Sequence, residues 1–210
     1  MASIVIFGGT GYAGSAIGAE AIRRGHSVTS VSPSGRPGPD GATSVQGSIG
    51  DAELVNKLAA GADVIVIATR ALSGELGSAV PALLDAAAGH GTRIGVVGGA
   101  GSLHVSDGGP RVVDLPEFPD AHKGEALAHA DVLAALRSAP AEVDWFYLSP
   151  AASFGAHSPG EATGNFRTSG DILLSDADGN SYISGADYAT AFVDEIEHPA
   201  HPRQRFHVAY

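Results

Sequence analysis

Short apolar runs alternate along this chain with longer segments in which apolar residues recur every three or four positions. The short runs predict buried strands, and the longer segments predict amphipathic helices. The predicted strands span residues 4–7, 27–31, 43–46, 63–68, 93–98, 143–148 and 205–208, and the predicted helices span residues 15–24, 51–58, 78–88, 121–137 and 185–197. Because strands and helices alternate, we predict an α/β fold in which helices cover both faces of a parallel sheet.

A glycine-rich stretch, residues 8–14, separates the first predicted strand from the first predicted helix. Gly8 permits a tight turn, Gly11 lets the backbone approach a pyrophosphate, and Gly14 lets the helix pack closely on the strand. Strand, glycine turn and helix in this order predict a Rossmann-type, doubly wound fold that binds a dinucleotide at the helix N-terminus. The contacts predicted here are Gly8, Thr10, Gly11, Tyr12, Ala13 and Gly14.

The rhythm of the chain changes after Pro150, where turn residues replace the long apolar runs. We predict hairpin-like pieces around Gly170 and Gly179, ahead of the last helix and strand. No repeat and no interdomain linker is visible. The sequence therefore predicts a single dinucleotide-binding domain over residues 1–210, in which residues 151–210 contribute a small lobe on the substrate side.

Charge and residue usage exclude several classes of function. The net charge is −11 at pH 7, which argues against nucleic acid or an anionic membrane as the partner. The chain has no cysteine, so disulfides, thiolate catalysis and cysteine–metal sites are excluded. Because the opening residues lead directly into the first predicted strand, we expect no signal peptide, and no apolar run approaches the roughly 18 residues that a membrane span requires. The expected location is the cytoplasm.

The residues after the second strand bear on the choice of cofactor. Folds that prefer NAD usually place a carboxylate there to hold the ribose hydroxyls, but this chain has Ser32, Ser34 and Arg36 and no acid before Asp40. A guanidinium with hydroxyls suits a 2′-phosphate, so we predict NADP, with NAD as the alternative. The alternative for Arg36 is a solvent-exposed side chain on a mobile loop.

Further cofactor contacts are predicted at other strand ends. Asp51 either flanks the adenine or caps the following helix. Residues 68–70 follow the fourth strand and face the crevice where such sheets bind ligands, and Arg70 is either a phosphate or substrate contact or a surface residue. The contacts predicted outside the glycine stretch are Ser32, Ser34, Arg36, Asp51, Ala68, Thr69, Arg70, Gly98, Ser149 and Pro150.

The glycine spacing resembles that of the extended and atypical short-chain dehydrogenase/reductases, whose usual catalytic pair is Tyr-x-x-x-Lys. None of the five tyrosines is followed four residues later by lysine. His122 stands at what looks like the tyrosine position, with Lys123 beside it and Ala126 where lysine belongs. The alcohol/ketone mechanism of the superfamily therefore does not carry over to this chain.

Nearly the whole chain resembles an atypical branch that lacks the catalytic pair. This branch comprises NAD(P)H-binding proteins and NADH-flavin reductases, and is similar to biliverdin reductase B and NmrA-like proteins. The resemblance rests on the opening glycines and on residues 97–103, 144–151, 170–174, 181–184, 187–189 and 194–195. It implies hydride transfer to a flavin-like or quinone-like ring, which requires the protein mainly to orient two rings.

Candidate catalytic groups are Ser102, His122 and Lys123, and Ser149-Pro150 is expected beside the nicotinamide. Ser102 alternatively satisfies backbone groups in its turn, and His122 alternatively lies on the surface. Phe154 and Phe166 are candidate walls of a ring pocket, or plain core residues. The histidine spacings do not suggest a metal site.

Two other functions stay open beside the reductase: a non-catalytic NAD(P)-sensing regulator, and a biosynthetic enzyme that reuses the scaffold for a step without redox chemistry. The expected partner is a small aromatic molecule, with no nucleic acid and no membrane. The expected state is a monomer or a homodimer.

Overall fold

The computed structural model describes residues 1–210 as one α/β unit with a mainly parallel eight-stranded sheet. The strands are β1 Ser3–Phe7, β2 Ser27–Ser32, β3 Thr43–Gln46, β4 Val64–Ile67, β5 Arg93–Val97, β6 Trp145–Ser149, β7 Arg167–Ser169 and β8 Gln204–Ala209. The helices are α1 Tyr12–Arg23, α2 Ala52–Ala59, α3 Glu75–His90, α4 Asp120–Arg137 and α5 Gly185–Glu197, with a short 3₁₀ turn at Val112–Asp114. The sequence-based prediction of a doubly wound α/β fold is confirmed.

The strand order is β3-β2-β1-β4-β5-β6-β8-β7, and every neighbouring pair is parallel except β7 with β8. The chain leaves β1 toward β2 on one side and returns to β4 on the other. This reversal opens a crevice at the carboxyl ends of β1 and β4, where open α/β sheets bind their ligands.

Alternate residues of the central strands build two separate apolar layers, because successive side chains of a strand point to opposite faces. Val5 and Phe7 of β1 pack with α2, α3 and α4, whereas Ile4 and Ile6 pack with α1 and α5. Both faces of the sheet are therefore covered, which explains why β4 is apolar throughout and β1 is apolar from Ile4 to Phe7. None of the helices combines the length and the apolar character needed to cross a membrane.

The hairpin-like piece predicted around Gly170 is wrong in its pairing, whereas the chain around Gly179 turns back on itself, with the Asp176 N–H bonded to the Asn180 carbonyl at 2.8 Å. β7 ends just before Gly170 but pairs with β8, from Arg167 opposite Ala209 to Ser169 opposite His207. Gly179 lies in a turn in which the Gly179 N–H bonds to the Asp176 carbonyl at 3.1 Å.

Four other element bounds differ from the prediction by two residues or more. α1 begins at Tyr12 rather than at residue 15, and α3 ends at His90 rather than at residue 88. α3 begins at Glu75 rather than at residue 78, because Gly74 adopts a left-handed φ of 76° that starts the helix there. β6 begins at Trp145 rather than at residue 143. The helix α5 has the predicted bounds.

Candidate functional site

The glycine stretch forms a tight connection between β1, α1 and the end of β4. Gly8 has a φ of 84°, and a Cβ atom on it would overlap the Ala68 carbonyl oxygen. A Cβ atom on Gly14 would overlap the Gly8 carbonyl oxygen. Gly11 differs, because it is exposed and its added Cβ would lie 3.2 Å from the Gly8 oxygen. Gly8 and Gly14 therefore serve the packing of this turn, and Gly11 presents backbone to solvent.

The N-terminus of α1 is an open anion cradle. Gly11 is its N-cap and supplies no side-chain cap, and no acidic residue occupies the first turn. The backbone N–H groups of Tyr12, Ala13 and Gly14 donate no hydrogen bond within the chain. Unpaired N–H groups and the helix dipole together favour a phosphate at this point. The donor set fits the pyrophosphate of a dinucleotide.

The structure brings Ser34 and Arg36 together after β2. The Arg36 Nε atom donates to Ser34 Oγ at 3.2 Å, and both side chains are exposed. Ser32 differs, because it is buried at the end of the strand, where its carbonyl accepts from the Gly47 N–H at 3.0 Å. A guanidinium and a hydroxyl thus point away from the fold where the sequence predicts a 2′-phosphate contact.

Asp51 acts as the N-cap of α2. Its Oδ1 atom accepts from the Leu54 N–H at 3.0 Å. This contact is the capping alternative raised from the sequence, and an adenine contact of Asp51 stays a prediction.

Ser149 ends β6, Pro150 follows it, and both are buried. The Ser149 Oγ donates to the Gly99 carbonyl at 3.0 Å, which joins the ends of β6 and β5. Gly98 is a glycine because Tyr147 packs against it, and a Cβ atom there would overlap the Tyr147 ring. The neighbouring Gly99 N–H bonds to the Tyr147 hydroxyl at 3.1 Å. Ser149 and Tyr147 thus hold the ends of β5 and β6 together, and a nicotinamide contact of Ser149 and Pro150 stays a prediction.

Two cavities lie along the carboxyl edge of the sheet. The first, of about 480 Å³, runs from Tyr12 and Ala13 past residues 68–70 to the loop at Phe154. The second, of about 420 Å³, lies between the loop after β5 and the first turns of α4. Arg70, Glu125 and His129 line both cavities. The two spaces therefore share a boundary, with the first beside the glycine turn and the second beyond it. We call them the cofactor cavity and the substrate cavity.

This arrangement of anion cradle and crevice agrees with the comparison to known families. A model of NAD(P)H-binding proteins matches residues 8–199. The chain belongs to this family. It has an NAD(P)H-binding fold, as the resemblance to the atypical branch implied.

Relatives of this NAD(P)H-binding protein cover its full length. The uncharacterised protein YwnB of Bacillus subtilis is 38% identical over 98% of this chain and 97% of its own. A solved structure from Streptococcus pneumoniae, named a "putative NADH-flavin reductase", is 33% identical over 100% of this chain and 99% of its own, with a TM-score of 0.89. One from Burkholderia pseudomallei, named a "putative exported protein", is 42% identical over 100% of both chains, also with a TM-score of 0.89.

The three predicted catalytic residues lie apart. His122 is exposed on α4 and lines the substrate cavity. Lys123 is turned to Asp120, with the Nζ atom 2.8 Å from Oδ1, and lines neither cavity. Ser102 Oγ accepts from the Arg205 guanidinium at 2.8 Å and also lines neither cavity. Their catalytic roles stay predictions, and His122 alone has access to the substrate cavity.

The two phenylalanines predicted to wall a ring pocket also lie at different places in the structure. Phe154 lines the cofactor cavity and contacts the Tyr12 ring edge-on, with 5.3 Å between the ring centroids. Phe166 lies instead in a surface groove beside Tyr210, away from the cofactor cavity. Tyr12 thus connects the glycine turn to the loop after β6, and its hydroxyl donates to the Pro159 carbonyl at 3.3 Å.

Glu125 and His129 were missed as site residues by the sequence reasoning. The Glu125 carboxylate accepts from the backbone N–H groups of Ala71 and Leu72 at 2.8 and 2.9 Å, and it lies 3.3 Å from His129 Nε2. The hydrogen bond from His129, aided by the two backbone donors, lowers the pKa of Glu125 to about 2. The signal available in the sequence was their spacing of four residues, which places both side chains on one face of α4.

Proposed function

We propose that this protein is an NADPH-dependent reductase of a flavin-like or quinone-like ring. The observation that carries the proposal is the substrate cavity, which adjoins the cofactor cavity and is lined mainly by small and apolar groups, among them Ala100, Val112, Phe118 and Ala126. Such a lining suits a flat aromatic molecule, and a shared boundary suits direct transfer between two rings.

The proposed hydride transfer requires little chemical participation by the side chains of the protein. A bound nicotinamide supplies the hydride, and the acceptor ring takes it up. What the protein contributes is orientation: the α1 N-terminus holds phosphates, and residues 68–70 and the loop after β6 bound the space for the nicotinamide. α4 carries no tyrosine, so the reduction of a simple carbonyl, which needs a placed proton donor, is not favoured.

Arg36 supports NADP over NAD. Replacing Arg36 with alanine is expected to weaken NADPH about 10- to 100-fold and to leave NADH nearly unchanged, because a charge-assisted bond is worth about 1.5–3 kcal/mol and only NADPH carries the 2′-phosphate. Calorimetric titration of both cofactors measures the two affinities. An equal loss for NADPH and NADH would show that this loop does not read the phosphate.

The reductase is tested with NADPH and a panel of FMN, riboflavin, quinones and biliverdin-like tetrapyrroles, followed by stopped-flow absorbance at the nicotinamide band. We expect oxidation of NADPH by at least one flavin or quinone, and no oxidation of simple secondary alcohols. His122→Ala and Lys123→Ala are expected to reduce turnover only modestly, because positioning rather than proton transfer limits the reaction.

A bulky substitution in the substrate cavity should distinguish the roles of the two cavities, because it should lower turnover without preventing cofactor binding. Ala152 is exposed and lines the substrate cavity, so Ala152→Trp is expected to lower kcat/KM about 10-fold or more while NADPH binding persists. Ala177→Trp, in an exposed turn outside both cavities, is the matched control. Tight NADPH binding without oxidation by any ring would favour the NAD(P)-sensing regulator or a non-redox biosynthetic enzyme instead.

A further inference from the structure

Two arginines of this acidic chain lack the partners that the others have. Eight of the ten arginines donate hydrogen bonds to carboxylate or backbone carbonyl oxygens. Arg36 bonds only to a serine hydroxyl, and Arg70 donates no hydrogen bond at all. Both follow strands at the carboxyl edge of the sheet, where ligands bind. The 2′-phosphate of NADPH is the proposed partner of Arg36. No partner has yet been proposed for the guanidinium of Arg70.

The surroundings of Arg70 leave its guanidinium free. Its side chain is 84% exposed, and the one carboxylate within 4.0 Å belongs to Glu125, 3.9 Å from Nε. That carboxylate is already occupied by the N–H groups of Ala71 and Leu72 and by His129. Arg70 therefore lies near the Glu125 carboxylate without forming a hydrogen bond to it. The N–H donors of its planar guanidinium are available to a ligand.

The charged groups that line the substrate cavity determine at which end of it an anionic group would bind. Apart from the histidines 122 and 129, the ionised groups in its lining are Arg70, Glu117 and Glu125. Glu117 is exposed in the segment before α4 and repels negative charge there. Arg70 and Glu125 both lie on the wall shared with the cofactor cavity. The Glu125 oxygens accept from the Ala71 and Leu72 N–H groups, so the free donors of Arg70 favour an anionic group at that wall, whereas Glu117 offers it no donor.

We infer that the substrate is a planar ring with an anionic arm, a phosphate or a carboxylate, which the Arg70 guanidinium binds as a bidentate partner. This inference rests on the proposed reductase function and narrows its substrate class. The cofactor's own phosphates are the competing source of an anion. Those phosphates have the N-terminus of α1 and Arg36 as partners. Arg70 lines both cavities and is the only arginine in the lining of the substrate cavity.

FMN and riboflavin form the matched test, because they share one ring system and differ in a terminal phosphate. With NADPH and the intact protein, kcat/KM for FMN is expected to exceed that for riboflavin by about 5-fold, the upper end for an ion pair at an exposed side chain. Arg70→Met should bring the ratio of kcat/KM for FMN to kcat/KM for riboflavin close to 1. Any effect of the substitution on the cofactor cavity, which Arg70 also lines, changes both rates alike and cancels in this ratio. Arg70→Lys should restore part of the preference, because it keeps the charge and loses the planar guanidinium. Raising the salt concentration should shrink the preference, because exposed charges are screened.

Lys57→Met is the control for net charge. It removes one positive charge in the last turn of α2, outside both cavities, and should not alter the preference. Flavin fluorescence quenching on the NADP⁺-loaded protein measures binding without turnover, so it separates the two proposals. An FMN preference in binding with no hydride transfer would support the Arg70 site and contradict the reductase. Equal rates for both flavins, or an Arg70→Met variant that loses NADPH affinity instead, would overturn the inference.

Discussion

Replacing Gly11 with valine is expected to abolish useful cofactor binding while the protein stays folded. The residue is exposed at the open N-terminus of α1, and a Cβ atom there meets only the Gly8 carbonyl oxygen, at 3.2 Å. A valine would instead occupy the space that a phosphate needs beside the free N–H groups of α1. Losing two charge-assisted bonds costs about 3–6 kcal/mol, which corresponds to a loss of affinity of about 100- to 10,000-fold.

Calorimetric titration with NADPH and a thermal melt of the same sample measure this effect. Gly14→Val is the informative companion, because a side chain there overlaps the Gly8 backbone and should unfold or strongly destabilise the protein. The two variants therefore separate a glycine that serves the ligand from one that serves the fold. Undiminished NADPH affinity in Gly11→Val would remove Gly11 from the binding site.

Replacing Glu195 with alanine is expected to lower the free energy of unfolding by about 3 kcal/mol, near the lower end of the range for a broken buried ion pair. Glu195 is 3% exposed on α5, and its Oε1 atom accepts from Arg93 Nη2 at 2.6 Å. The same carboxylate accepts from the His201 N–H at 3.0 Å. Its loss leaves the buried Arg93 guanidinium with only the half-exposed Asp144 as a charged partner, 3.0 Å from Nε.

Urea unfolding measures the change, and Glu142→Ala, an exposed glutamate, is the control for the loss of a negative charge. Glu195→Gln should destabilise less than Glu195→Ala, because an amide oxygen still accepts hydrogen bonds from Arg93. If Glu195→Ala unfolds at the same urea concentration as the parent protein, the buried pair makes no net contribution to stability.

The parts of this molecule that the sequence predicts are those set by neighbouring residues. The glycine turn is one, because strand, turn and helix follow each other within residues 4–24 and each glycine has a local reason. The apolar runs of β1, β4 and β5 are another, because burial on both faces leaves an unbroken apolar signal.

The parts that were missed depend on contacts between distant residues. Glu125 meets Ala71 across 54 positions of the chain, and no local pattern shows that the loop after β4 reaches α4. The partner of Ser102 was equally unpredictable, because its hydroxyl accepts a hydrogen bond from Arg205, 103 positions later in the chain. β7 pairs with the edge of β8 rather than with its neighbour in sequence, for which the residues around Gly170 give no sign.

The bonds of Glu125 have a consequence for the shape of molecules that the substrate cavity accepts. They join the loop after β4 to α4, two walls of that cavity, through an ionised carboxylate and the N–H groups of Ala71 and Leu72. A guest that forced these walls apart would have to break both bonds, each worth about 1.5–3 kcal/mol. A long substituent that stays in the plane of the ring costs less free energy, because the cavity opens to solvent where the exposed His122 and Ala152 line it. The protein should therefore discriminate against out-of-plane substituents more strongly than against a long side arm.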